Sequence, residues 1–223
     1  MRYTLQVQYI GKNYAGSQIQ FENGIEIQTP TIQGELEKAI STLIFGDTEN
    51  NNRQLKTVFS GRTDRGVNSK GQIIHFDTDK PIVASKFVYQ LNEILPKDIS
   101  VSDLKQVDAS FHAQKSAKRR YYRYVFINRK CKNAFDGDLM RIKYDINIER
   151  MQNALNYLLG EHDFSSFKSS GTLNPSKVCF IEKAECKKDD DKVIIDIAGN
   201  RFLYNMVRTI VGTLLEIEGH NRS

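Results

Sequence analysis

The chain has 223 residues, 39% of them hydrophobic and 26% charged, enough to bury one large core or two small ones. Thirty-two Lys and Arg against 27 Asp and Glu leave a formal charge of +5, which permits a polyanionic partner without demanding one. No apolar run approaches the roughly 20 residues of a membrane span, and the first residues alternate like a strand instead of forming a signal peptide, so the expected location is the cytoplasm, with no membrane partner. Three cysteines, Cys131, Cys179 and Cys186, lack paired spacing and argue against a disulfide framework or a zinc site.

Hydrophobic periodicity predicts a strand over Arg2 to Ile10 with Tyr3, Leu5, Val7 and Tyr9 on one face. Ile32, Leu36, Ile40, Leu43 and Ile44 recur at helical spacing between Pro30 and Gly46. Leu55 to Ser60 and Gln72 to Asp77 read as strands flanking a polar loop from Gly61 to Gly71. A helix capped by Ser85 carries Phe87, Val88, Leu91 and Ile94 and stops at Pro96, and Ile99 to Val107 is a strand.

The second half opens with a strand at Ala117 to Ile127 and a helix presenting Met151, Leu155, Leu158 and Leu159 that ends at Gly160. Strands at Ser176 to Lys187 and Lys192 to Ala198 follow, joined by an acidic turn, and a long helix runs from Arg201 to Glu218. The halves read βαββαβ and βαββα, the split βαβ pattern of ferredoxin-like domains with one strand missing from the second. The expected fold is therefore α+β: two ferredoxin-like halves, residues 1–108 and 109–223, forming a mostly antiparallel mixed sheet flanked by helices. The missing strand would leave an edge for a dimer, a partner or residues beyond Ser223 to cover.

Between Lys115 and Lys132 lie eight basic residues and no acidic one, interleaved with Tyr121, Tyr122, Tyr124 and Phe126. Cations beside rings suit RNA with unpaired bases, while a lysine-guarded edge strand would have the same composition. The densest reactive cluster is Ser60 to Asn68, where Asp64 lies between Arg62 and Arg65 and two glycines relax the backbone. Guanidinium groups at hydrogen-bonding range hold such a carboxyl ionised, fit to act as base or nucleophile at a sugar carbon. A turn stapled by its own Asp is the structural alternative.

The run Gly61 to Phe76 resembles the active-site signature of tRNA pseudouridine synthases of the TruA type. Similar to the same family, and in its order, are Tyr9 to Gly16, Phe111 to Ala113 through Arg119 to Tyr124, His162 to Phe167, and Met206 to Gly212. The resemblance implies an isomerase that flips a uridine out of the tRNA anticodon stem-loop (positions 38–40), breaks its N-glycosidic bond and rejoins C5 to the ribose, working as a homodimer without metal or organic cofactor. It makes Asp64 the catalytic residue and Arg62 the side chain holding the target nucleotide extruded. Tyr122 would pack on the target base and Arg208 would pair with the catalytic carboxylate. Arg65, Lys118, Arg119, Arg120 and Arg123 would contact the RNA backbone. Without the resemblance, alternation places Tyr122 on a core face and the helical wheel leaves Arg208 outside the apolar stripe.

Two departures stand out. Relatives carry Trp-Gln where Ser17 and Gln18 follow Gly16, and the family continues past the position of Ser223 with a further helix and strand. A non-catalytic or weakly active tRNA-binding paralogue, or a fragment lacking the C-terminal segment, is therefore the alternative to an enzyme. His162 and Asp163 beside Ser165 and Ser166 do not suggest a hydrolase triad, whose members normally come from separate segments. They read as a packing or RNA-facing turn.

Overall fold

The computed structural model describes residues 1–22, 24–26, 28–46, 55–169 and 176–219. The expected continuation past Ser223 falls outside them. The chain divides into two compact units, Met1–Ala117 and Lys118–Ser223.

In the first unit, β1 (Arg2–Tyr9) leads through a 3-10 turn at Gly11–Asn13 and a small ribbon, β2 (Phe21–Glu22) with β3 (Ile25–Glu26), into helix α1 (Ile32–Phe45). Thr31 accepts a hydrogen bond from the Gly34 amide and so caps α1, and Gly46, at φ +84°, ends it. Strands β4 (Thr57–Phe59) and β5 (Ser69–Asp77) follow, then α2 (Ala84–Ile94) and β6 (Ile99–Val107). The strand order β4-β5-β1-β6, antiparallel throughout, is the split βαβ arrangement expected. Tyr3, Leu5, Val7 and Tyr9 of β1 join Ile74 and Phe76 of β5 in one core with Ile32, Leu36 and Ile40 of α1 and Phe87 and Leu91 of α2.

Three local expectations change. Ser85 lies inside α2, whose cap position is Val83 with no side-chain cap bond. Strand β5 begins at Ser69, earlier than alternation indicates, so the loop contracts to residues 60–68. Residues 109–117, which the sequence pattern gives to the second half, fold onto the first unit through a short helix, α3 (Ala113–Ser116). The Arg2 guanidinium donates to the carbonyls of Ala109 and Phe111 and grips Asp77, while the Ala113 amide donates to Nδ1 of buried His75 at 3.2 Å.

The second unit contains β7 (Arg120–Asn128), β8 (Arg141–Ile142), α4 (Ile148–Asn156), β9 (Gly160–Asp163), a 3-10 turn at Ser165–Phe167, β10 (Val178–Asp189), β11 (Lys192–Gly199) and α5 (Met206–Glu218). Its sheet runs β8-β7-β11-β10-β9, antiparallel except for the β7–β8 pair. Phe126, Val193, Ile195 and Ile197 from the sheet pack with Met151 and Leu155 of α4 and Ile210, Val211 and Leu214 of α5. Helix α4 stops short of Gly160, which at φ +95° opens β9, a strand that its polar sequence hides. Helix α5 starts at Met206, later than its apolar pattern predicts, because Asn205 takes a left-handed conformation at φ 59° and breaks the register. Where the repeat calls for a final strand beside β7, the described residues offer only β8, paired at Ile127 and Asn128.

Candidate active site

The loop of residues 60–68 connects β4 to β5 and carries Asp64 half-buried at its middle, with Arg62 and Arg65 exposed on either side. It is held from the segment after β1. Gly16 and Asp64 form an antiparallel bridge, and the Ser17 amide donates to the Thr63 carbonyl at 3.0 Å. The Thr63 amide donates to Ser17 Oγ at 2.8 Å, and Thr63 Oγ1 pairs with the Tyr9 hydroxyl at 2.8 Å. Beyond Asp64, the Gly11 amide donates to Asn68 Oδ1 at 2.8 Å, and the Val67 amide closes a turn onto the Asp64 carbonyl at 3.1 Å. Gln72 of β5 donates to the Gly61 carbonyl.

Two glycines make this approach possible. A Cβ on Gly11 would overlap the Val67 carbonyl, its carbon 2.8 Å away, and Gly16, at φ +142°, would set one 2.9 Å from the Thr63 oxygen. Tyr14, from the same turn, anchors the segment to the turn before β6 by donating to Asp98 at 2.5 Å. Burial and that carboxylate push its phenol well above the ordinary tyrosine range, so it remains a donor.

On the second unit Tyr122 is half-buried at the start of β7, and Phe202 meets it edge-on with ring centroids 5.0 Å apart. Tyr124 and Phe126, on the same strand face, pass into the core, so alternation correctly reads that face as inward. Arg208 is exposed in the first turn of α5, which has no acidic residue. A cation there opposes the positive end of the helix dipole, at a cost of about 0.3–1 kcal/mol. The entry to α5 is braced by the Ser165–Phe167 turn region: the Ser169 amide donates to the Tyr204 carbonyl at 3.2 Å and Asn205 Nδ2 donates to Ser169 Oγ at 3.0 Å.

The basic residues of the β7 region differ in their engagement. Arg123 forms a two-pronged pair with Asp196 at 2.7 and 2.8 Å, and Asp196 is almost fully buried. That guanidinium holds the Asp196 carboxyl below the usual carboxylate range. Arg119 pairs with Glu182, Arg120 donates to the Asn200 carbonyl at 2.8 Å, and Lys118 is exposed. Among the described residues no group of three or more His, Cys, Asp or Glu could hold a metal ion, and no helix is long and apolar enough to cross a membrane.

Sequence reasoning missed Ser17, Tyr9, Asn68 and Gln72 as supports of the loop. Ser17, at the site of the Trp-Gln departure, is fully buried, and its hydroxyl is spent on Thr63.

A loop-borne carboxylate between two arginines, on a split βαβ scaffold, precedes a strand whose cations and rings suit RNA with unpaired bases. The profile described as "tRNA pseudouridine synthase" matches residues 154–223. The protein named tRNA pseudouridine synthase A from Thermoanaerobacter sp. (strain X514) is 42% identical over 213 residues, covering 93% of this chain and 80% of that protein. Its namesakes from Halalkalibacterium halodurans and Buchnera aphidicola subsp. Schizaphis graminum are 40% and 39% identical over 100% and 99% of this chain, and 80% of each is covered. The chain belongs to the tRNA pseudouridine synthase family, and with it to the isomerases that act on tRNA.

Proposed function

We propose that this chain converts uridine to pseudouridine in the anticodon stem-loop of tRNA, as a cytoplasmic homodimer, with Asp64 as the catalytic residue. The carboxylate acts at the ribose, the N-glycosidic bond opens, the uracil rotates, and C5 is joined to the sugar carbon. C5 then loses its proton and N1, freed from the sugar, gains one, so atoms balance without a co-substrate or an oxidant. Arg62 holds the target nucleotide out of its stack and Tyr122 packs on the flipped base, whose unstacking costs a few kcal/mol. Arg208, in the matching motif of α5, pairs with the reacting carboxylate. Arg65, Lys118, Arg119, Arg120 and Arg123 contribute the salt-dependent attraction to phosphates.

The observation that carries this proposal is the pinning of residues 60–68 onto the segment after β1, which presents Asp64 from a fixed backbone. Electrostatic and covalent catalysis both depend on a reacting group that is already in place. The test is to incubate the chain with unmodified tRNA and map pseudouridine at nucleotide resolution. Product in the anticodon arm is expected. Product confined to another arm would contradict the assigned substrate site, and tRNA binding with no product would favour a binding-only relative.

A further inference from the structure

We propose that Thr63 is the positioning residue of the Asp64 loop, locked by Tyr9 and Ser17 so that the carboxylate is aimed before RNA arrives. This rests on Asp64 being the catalytic residue. Every polar group of Thr63 is engaged by the segment around β1. Its amide donates to Ser17 Oγ at 2.8 Å, its carbonyl accepts from the Ser17 amide at 3.0 Å, and its hydroxyl pairs with that of Tyr9 at 2.8 Å.

Neither partner is a surface residue answering to solvent. Ser17 is 0% exposed and Tyr9 4% exposed, so both hydroxyls lie where an unmade hydrogen bond is costly. Tyr9 belongs to the core face of β1, which makes it a rigid post. The next residue in the chain is Asp64, whose backbone bridges Gly16 beside Ser17. Three bonds at one residue, from two posts of the same unit, fix the peptide that carries the reacting carboxylate. The Thr63 hydroxyl thereby acts through Asp64 without touching substrate.

The experiment removes the hydroxyl bond from either end without changing side-chain volume much. Thr63→Val and Tyr9→Phe are each expected to lower kcat by about tenfold to a hundredfold, as small misplacements of reacting groups do, with KM for tRNA within about twofold. The double variant is expected to lose less than the product of the two single losses, because the two ends share one bond. Thr63→Ser, which keeps the hydroxyl, restores most of the rate. Normal kcat in folded Thr63→Val and Tyr9→Phe, or equal loss of kcat and tRNA affinity, would overturn the proposal.

Asp64→Asn is assayed alongside. If it still makes product, the catalytic assignment itself fails. If it is dead while Thr63→Val is fully active, only the positioning role fails. Amide hydrogen exchange adds a readout independent of turnover: faster exchange over residues 62–66 in Thr63→Val, with the rest of the first unit unchanged, is expected, and unchanged protection there overturns the proposal.

Discussion

The two units share a strand-to-strand connection at the same point of the repeat, and they use it differently. In the first unit β4 and β5 are joined by residues 60–68, which carry Asp64. In the second, β10 and β11 are joined by a tight turn through Asp190, at φ 54°, and Asp191. Both connections carry aspartate and both link antiparallel neighbours, but the first is much the longer and also holds Arg62 and Arg65. The Asp190 turn closes its ladder with Asp189 opposite Lys192, and Asp191 is held from the end of β7, its carbonyl accepting from the Asn128 amide at 2.7 Å and its carboxylate from Arg129 at 2.7 Å. The Asp64 loop is fastened instead to the segment after β1. A repeated fold therefore supplies two equivalent places for a loop: one holds its aspartate in an ion pair with Arg129, and the other presents Asp64, the proposed catalytic residue, from the segment after β1.

If that is the distinction, damage to the fastening should cost far more than changes elsewhere. Gly11→Ala is the most severe case, because its Cβ would enter the Val67 carbonyl; overpacking of this kind costs about 1–3 kcal/mol. Loop displacement should lower turnover more than thermal stability alone explains, which melting curves and initial rates on one preparation will separate. Arg208→Ala addresses the second unit. Turnover should fall more than tRNA affinity, whereas equal losses in kcat and binding would make Arg208 an ordinary RNA contact.

The smallest effect concerns how residues 109–117 attach to the first unit. Burial, then the charges of Arg2 and His112, lower the His75 pKa below its ordinary value, with Asp77 opposing. A histidine with a depressed folded-state pKa contributes fully above the unfolded value near 6.5, and its contribution is lost as pH falls toward the folded value. Stability should therefore decline as pH drops below about 6.5, and His75→Gln should flatten that part of the profile. An unaltered slope in chemical denaturation would remove His75 from this role.

Much of the architecture was legible because it depends on periodic burial. The alternation of Tyr3, Leu5, Val7 and Tyr9 and the helical spacing of Ile32, Leu36 and Ile40 lead directly to one core. The Asp64 loop was legible as polar, glycine-containing sequence between two apolar strands. Its supports were not. Tyr9 reads as core by alternation, and nothing local ties Ser17 to Thr63, since that contact spans 46 residues of chain. Helix α3 is too short for a periodic signal, β9 has the sequence Gly-Glu-His-Asp, and the start of α5 turns on the backbone conformation of Asn205. Those features depend on tertiary contacts or single dihedral angles, which composition and spacing do not encode.

The most direct test of the claim that the chemistry resides in the loop between β4 and β5 is a paired assay of the unaltered chain and Asp64→Asn. Binding to unmodified tRNA and pseudouridine formation are measured on the same samples. The account predicts affinities within about twofold of each other and product from the unaltered chain alone. Product formed by Asp64→Asn at the unaltered rate would contradict it.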